Sequence, residues 1–151
     1  MRNKVALSVI AVLILAATGL FGCGQNRDGQ MQDGYYTAEA ADFSHGWKEF
    51  VTILVQDNTI VAVEYNAQNA SGFIKAWDMD YMRNMNSAKG TYPNEYTRGY
   101  GASLLASQKA DEIDAITGAT SSYNSFRQLA AAAMERARLG DISVAVVEIL
   151  E

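Results

Sequence analysis

The chain has 151 residues, 49% of them hydrophobic, with 12 basic against 17 acidic side chains for a net charge of −5. That length suits one compact domain with a full core, and the acidic balance argues against nucleic acid as a partner and against a basic patch gripping anionic lipid. One cysteine and one histidine leave no disulfide framework, Cys-ligated iron–sulfur cluster, covalent haem c or His-rich metal site, so redox chemistry would have to come from an organic cofactor.

Arg2 and Lys4 precede an apolar run from Val5 to Phe21 that is interrupted only by Ser8, Thr18 and Gly19. A positive start followed by a short apolar core reads as an export signal. The run stops short of the roughly 18 residues of a membrane span and ends in Leu20-Phe21-Gly22-Cys23. That ending resembles a bacterial lipobox, in which the chain is cut before the cysteine and the thiol takes diacylglycerol. Gly22 supplies the small residue, while Phe21 is bulkier than usual. The competing readings are an uncleaved anchor and a free buried cysteine. The lipobox reading divides the chain into residues 1–22 as signal peptide, 23–33 as a linker from lipidated Cys23, and 34–151 as one domain. Loss of Arg2 and Lys4 takes the net charge from −5 to −7. The linker is polar and aperiodic and reaches at most about 35 to 40 Å, so the domain would work just above an outer membrane face, lipid-anchored outside the cytoplasm.

From Gly34 the pattern has period two. Tyr35, Tyr36 and Thr37 open a strand; Phe50–Gln56 and Thr59–Tyr65 are β-rich runs joined by Asp57-Asn58, residues that tolerate positive φ in a two-residue hairpin turn. Val51, Ile53 and Val55 share one face of the first arm, and Val61, Val63 and Tyr65 share one face of the second. Ala67–Gly72 reads as a small-residue loop. His45 reads as a solvated loop residue.

Phe73, Trp77, Tyr81 and Met85 then recur every four residues, as do Tyr96, Tyr100 and Leu104 beyond the Tyr92-Pro93 break, predicting two amphipathic helices. Most of these aromatics belong in the core, with a minority left to line a ligand. Gly99-x-Gly101 has Leu104 in place of a third glycine and follows no strand, so it is not a dinucleotide fingerprint. Ser121–Arg138 predicts a further helix with Phe126, Leu129, Ala133 and Ala137 on one face and Gly140 as terminator. Ile142–Leu150 is apolar on both faces and predicts a central strand covered by helices. The fold class is therefore α+β, a single domain with a mainly antiparallel sheet and packed helices.

The heptad Asp114-Ala115-Ile116-Thr117-Gly118-Ala119-Thr120 lies between a polar loop and this last helix. A helix cap at Thr120, Ser121 or Ser122 would account for the hydroxyls but not for an acid six residues before a threonine that follows Thr-Gly-Ala. Gly118 permits positive φ and close approach of a foreign backbone, and Ala119 leaves Thr120 uncluttered. A helix start also favours phosphate, by roughly 0.3 to 1 kcal/mol per charge. Thr120 has no His or Lys beside it in sequence to serve as base, so any loading of its hydroxyl requires a separate enzyme.

The motif Asp-x-x-(Ser/Thr)-Gly-Ala-(Ser/Thr), the Ser121-Ser122 that follows, Gly34-Tyr35 and the valine-rich hairpin together resemble the FMN-binding domain family over Gly34–Glu151. That family includes the flavinylated C subunit of sodium-pumping NADH:quinone oxidoreductase, the G subunit of the Rnf complex and the lipoproteins of extracellular electron transfer. The resemblance implies FMN held covalently by a phosphoester to Thr120. It also implies a flavin transferase that draws on FAD and recognises Asp114, Thr117, Gly118 and Ala119. Two roles are open to Asp114, capping of loop amides or holding the metal-bound phosphates of FAD during transfer. The expected function is an electron carrier rather than a stand-alone enzyme, taking electrons from a membrane flavoprotein or quinol system and passing them to an external acceptor or reductase. The alternatives are non-covalent FMN binding and a ligand-binding or adhesive surface lipoprotein without flavin.

Overall fold

The computed structural model describes residues 29–150. The export signal and Cys23 lie outside the described residues. Strands β1 (Gly34–Ala40), β2 (Lys48–Gln56) and β3 (Thr59–Gln68) are followed by helices α1 (Met79–Lys89), α2 (Pro93–Ser107) and α3 (Thr120–Leu139), and a short β4 (Ala145–Val147) follows them. The sheet order is β3-β2-β1-β4, antiparallel except for the parallel pairing of β1 with β4. This is the α+β domain anticipated, with a mixed sheet.

Alternation puts Tyr36, Ala38 and Ala40 of β1 and Val51, Ile53 and Val55 of β2 on one buried face, against which α3 packs. Phe126, Leu129, Ala130, Ala133 and Ala137 form the covered stripe of α3, and its alanines let backbone approach sheet closely. Tyr96, Tyr100 and Leu104 form the equivalent stripe of α2, which lies over β3. The layers meet in an aromatic cluster, with Phe126 stacked on Tyr100 at 5.5 Å and tilted against Tyr65 at 4.9 Å.

The ends of these elements follow their sequence. Asp57 and Asn58 both adopt positive φ, as a two-residue turn matched to strand twist requires. Asp78 caps α1 by accepting from the Tyr81 amide at 2.9 Å, Pro93 occupies the first turn of α2, and Gly140 ends α3 at φ 66°. The chain is pinned as early as Met31, whose amide donates to Asn58 Oδ1, and Gln32, whose amide donates to the Ala137 carbonyl.

Several expectations need correction. A bulge between Leu54 and Val55 pairs Val55 with Ile60 and leaves Val61 as the extra residue, so Ile60 and Tyr65 turn inward while Val61 faces solvent. β3 runs on to Gln68 through residues anticipated as loop. The helix expected from Phe73 starts at Met79, after a 3-10 turn at Lys75–Trp77; Phe73 and Trp77 are exposed and meet edge to face at 6.2 Å. β4 is a three-residue edge strand, not a central one, and Val146 is 63% exposed. Its position beside β1 leaves one edge and one face to solvent, so an all-apolar segment is only partly covered.

Candidate functional site

The heptad forms a tight turn seated on α2. Ile113 is buried before it, and Asp114 and Ala115 are exposed. The Ala119 amide donates to the Ile116 carbonyl at 3.0 Å, closing a turn with Thr117 and Gly118 at its centre and Gly118 at φ 84°. A Cβ on Gly118 would come within 2.5 Å of the Lys89 carbonyl oxygen and 3.1 Å of Thr91 Cγ2. Glycine is thus needed for dihedral and for space, and the close backbone is the chain's own, not a foreign one. Below the turn, the buried Tyr100 hydroxyl accepts from the Ile116 amide at 3.0 Å and donates to the Ala119 carbonyl at 3.1 Å. Gly99 of α2 makes room for Ile116, whose Cδ1 would stand 2.7 Å from a Cβ there.

Thr120 is exposed as the first residue of α3. The cap position falls on Ala119, and no side chain caps the helix. None of Thr120, Ser121 or Ser122 serves as the cap that sequence suggested: Ser122 Oγ approaches Glu49 Oε1 at 3.4 Å. The first-turn amides therefore keep their hydrogen-bonding capacity, and the helix dipole adds to it, which makes this end suited to a phosphate.

Beside the helix start opens a cleft of about 470 Å³, with Ala119, Ser121 and Ser122 on one wall. Thr120 stands in the chain between the lining residues Ala119 and Ser121. Trp47, Glu49, Lys75, Tyr81 and Tyr96 supply much of the remainder. Trp47 and Tyr81 meet edge to face at 6.1 Å, and Lys75 Nζ lies 4.7 Å from the Tyr81 centroid and 5.9 Å from that of Trp47. Glu49 Oε1 accepts from the Tyr65 hydroxyl at 2.8 Å, which also donates to the Ser122 carbonyl at 3.0 Å. Burial, then the Glu49 charge, pushes the Tyr65 phenol well above its ordinary pKa. A larger and more open trough of about 890 Å³ lies along α3 against Gln108–Asp111, but no heptad residue and no aromatic wall borders it. The smaller cleft is therefore the candidate site.

Of the heptad, Ala119 lines the cleft, while Asp114, Thr117 and Thr120 are exposed and, like Gly118, are not among its lining residues. Of the aromatic stripes, Tyr81 and Tyr96 line it with Met85, while Phe73 and Trp77 do not. Trp47, Glu49 and Lys75 were missed; the available signal was a lysine set inside the Phe73–Tyr81 stripe. The cleft volume lies within the roughly 300 to 1,000 Å³ of small-molecule sites. With flat aromatic walls beside an uncapped helix start and an exposed hydroxyl, the residues present fit a phosphorylated planar cofactor.

A two-layer α+β domain with an aromatic cleft at a helix N-terminus defines a cofactor-holding class of protein. The chain belongs to the FMN-binding domain family, whose sequence profile matches residues 46–135. It is 36% identical over 110 residues to the 15 kDa lipoprotein of Treponema pallidum (strain Nichols), covering 72% of this chain and 78% of that one. The crystal structure of the CPE2226 protein from Clostridium perfringens is similar, with a TM-score of 0.76 at 36% identity over 81% of this chain and 100% of the other. A solution structure from Clostridium thermocellum gives a TM-score of 0.50 at 31% identity, covering 71% of this chain and 92% of that one. Among the described residues no helix is long and apolar enough to cross a membrane.

Proposed function

We propose that this chain is a membrane-anchored, extracytoplasmic electron-transfer flavoprotein that carries FMN esterified to Thr120. The observation that carries the reading is the exposed Thr120 between two residues of the aromatic cleft wall, Ala119 and Ser121, at a helix start that no side chain caps. Gly118 and Tyr100 hold the turn rigid from within, while Asp114, Thr117 and Thr120 face outward where a transferase can read them.

In loading, the Thr120 Oγ1–phosphorus bond forms, the pyrophosphate bond of FAD breaks and AMP leaves. The hydroxyl proton goes to a base of the transferase. Once bound, FMN supplies one- and two-electron chemistry; the protein's residues hold the phosphate at the start of α3, offer aromatic faces to the ring and restrict its access to water. A covalent ester prevents loss of the cofactor outside the cell. The electrons come from a membrane flavoprotein or quinol system and pass to an external acceptor or reductase.

The lipoprotein relative supports lipid attachment at Cys23; incorporation of labelled fatty acid should disappear in Cys23→Ser. For the cofactor, co-production with an active flavin transferase and denaturing electrophoresis under ultraviolet light should show a fluorescent band that Ser121→Ala retains and Thr120→Val loses. Fluorescence retained by Thr120→Val would refute attachment at this residue. A colourless wild-type protein that binds another ligand would favour the flavin-free lipoprotein.

A further inference from the structure

Attachment at Thr120 draws on the turn and the helix start, but not on the cation in the cleft. Among the described residues Lys75 is the one lysine or arginine on the cleft wall, which also carries Asp42, Glu49 and Glu148. It forms no ion pair among the described residues: the salt bridges join Lys48 to Glu39, Arg83 to Asp80, Lys109 to Glu112, Arg136 to Asp141 and Arg138 to Glu135. Glu49 Oε1 is committed to Tyr65. Burial opposes the Lys75 charge, but Tyr96, Tyr81 and Glu49 outweigh it and raise the pKa above the ordinary lysine value. The cleft therefore holds a partly buried ammonium that stays charged and has no carboxylate salt-bridge partner among the described residues, a cation open to an anionic ligand.

On the reading that the domain holds FMN at Thr120, we propose that Lys75 is the counter-charge for the reduced flavin ring. The phosphoester has its own donors in the uncapped amides of α3. Lys75 is instead set against the flat faces of Trp47 and Tyr81, the surroundings in which a planar ring packs. Reduction adds two electrons from the donor and, with Lys75 present, one proton from solvent; the ring keeps one negative charge and no bond in the protein forms or breaks. The acids on the cleft wall would repel that charge, and Lys75 is the group that offsets them. The titratable groups facing it are Glu49 from β2, Tyr81 from α1 and Tyr96 from α2, with Asp42, His45 and Glu148 along the wall.

The test uses the full chain, flavinylated by co-production with the transferase, as wild type, Lys75→Met and Lys75→Arg. Intact mass establishes the load of each, and the midpoint potential is then measured by dithionite titration across the neutral pH range. Wild type and Lys75→Arg should take up one proton per two electrons, a tenfold change in equilibrium per pH unit or about 30 mV. Lys75→Met should reduce at lower potential and take up two protons, doubling that slope, because without the cation the neutral reduced ring is favoured. His45 and the acids are common to all three chains, so the difference belongs to Lys75. A loaded Lys75→Met with the wild-type slope and potential overturns the proposal, and Lys75→Gln gives the same test should the methionine variant not fold. A wild-type chain without flavin by mass instead overturns attachment at Thr120, on which the proposal rests.

Discussion

Gly118 is where the site depends most on a single residue. Its positive φ and the Lys89 carbonyl together leave no room for a side chain, so Gly118→Ala should cost about 1 to 3 kcal/mol of stability and distort the turn that presents Thr120. Urea denaturation gives the first effect and intact mass after co-production the second. Tyr100 works on the same turn from below. Tyr100→Phe leaves the Ile116 amide without its acceptor, for a loss of about 1 to 3 kcal/mol that denaturation midpoints should detect while helical circular dichroism stays unchanged. The glycine and the small Ala119 were legible in the sequence as a constrained approach. What constrains it was not, because Lys89, Thr91 and Tyr100 reach the turn through tertiary packing.

Elements were legible where periodicity and end signals agreed. The β2–β3 hairpin has alternation and a positive-φ pair at Asp57-Asn58, and α3 has a continuous apolar stripe closed by Gly140. Phe126 sits at the centre of that stripe against Tyr65 and Tyr100; Phe126→Ala should cost about 3 to 5 kcal/mol, read as a lower urea midpoint. Where two signals competed, the reading failed. The four-residue spacing of Phe73 and Trp77 mimics a helix face, yet Asp78 caps the chain only after them. The bulge at Val61 inverts alternation through backbone geometry that side-chain types do not encode. β4 reads as buried because it is apolar, but its partner lies on one side only. The cleft was the least legible feature, since β2, the 3-10 turn, α1 and α2 each contribute to it from distant parts of the chain.

At the scale of the whole molecule, stability should respond to alkali through the buried phenol network. The folded-state pKa of Tyr65 lies well above the ordinary 10.0, from burial first and then from Glu49. The unfolded chain therefore releases this proton first. The stability contributed is fully present below about pH 10 and is lost as pH rises through the folded value. The urea midpoint should fall above pH 10 in the wild type and fall less steeply in Tyr65→Phe, which has no phenol to ionise. Around that network the domain presents an aromatic cleft beside an exposed Thr120 and a helix start that no side chain caps. The most direct test is the mass of the tryptic peptide containing Thr120 from protein made with its transferase. The expected mass is that of the peptide plus one FMN less one water, absent in Thr120→Val; an unmodified Thr120 peptide, with the transferase shown to be active on another acceptor, would contradict the account.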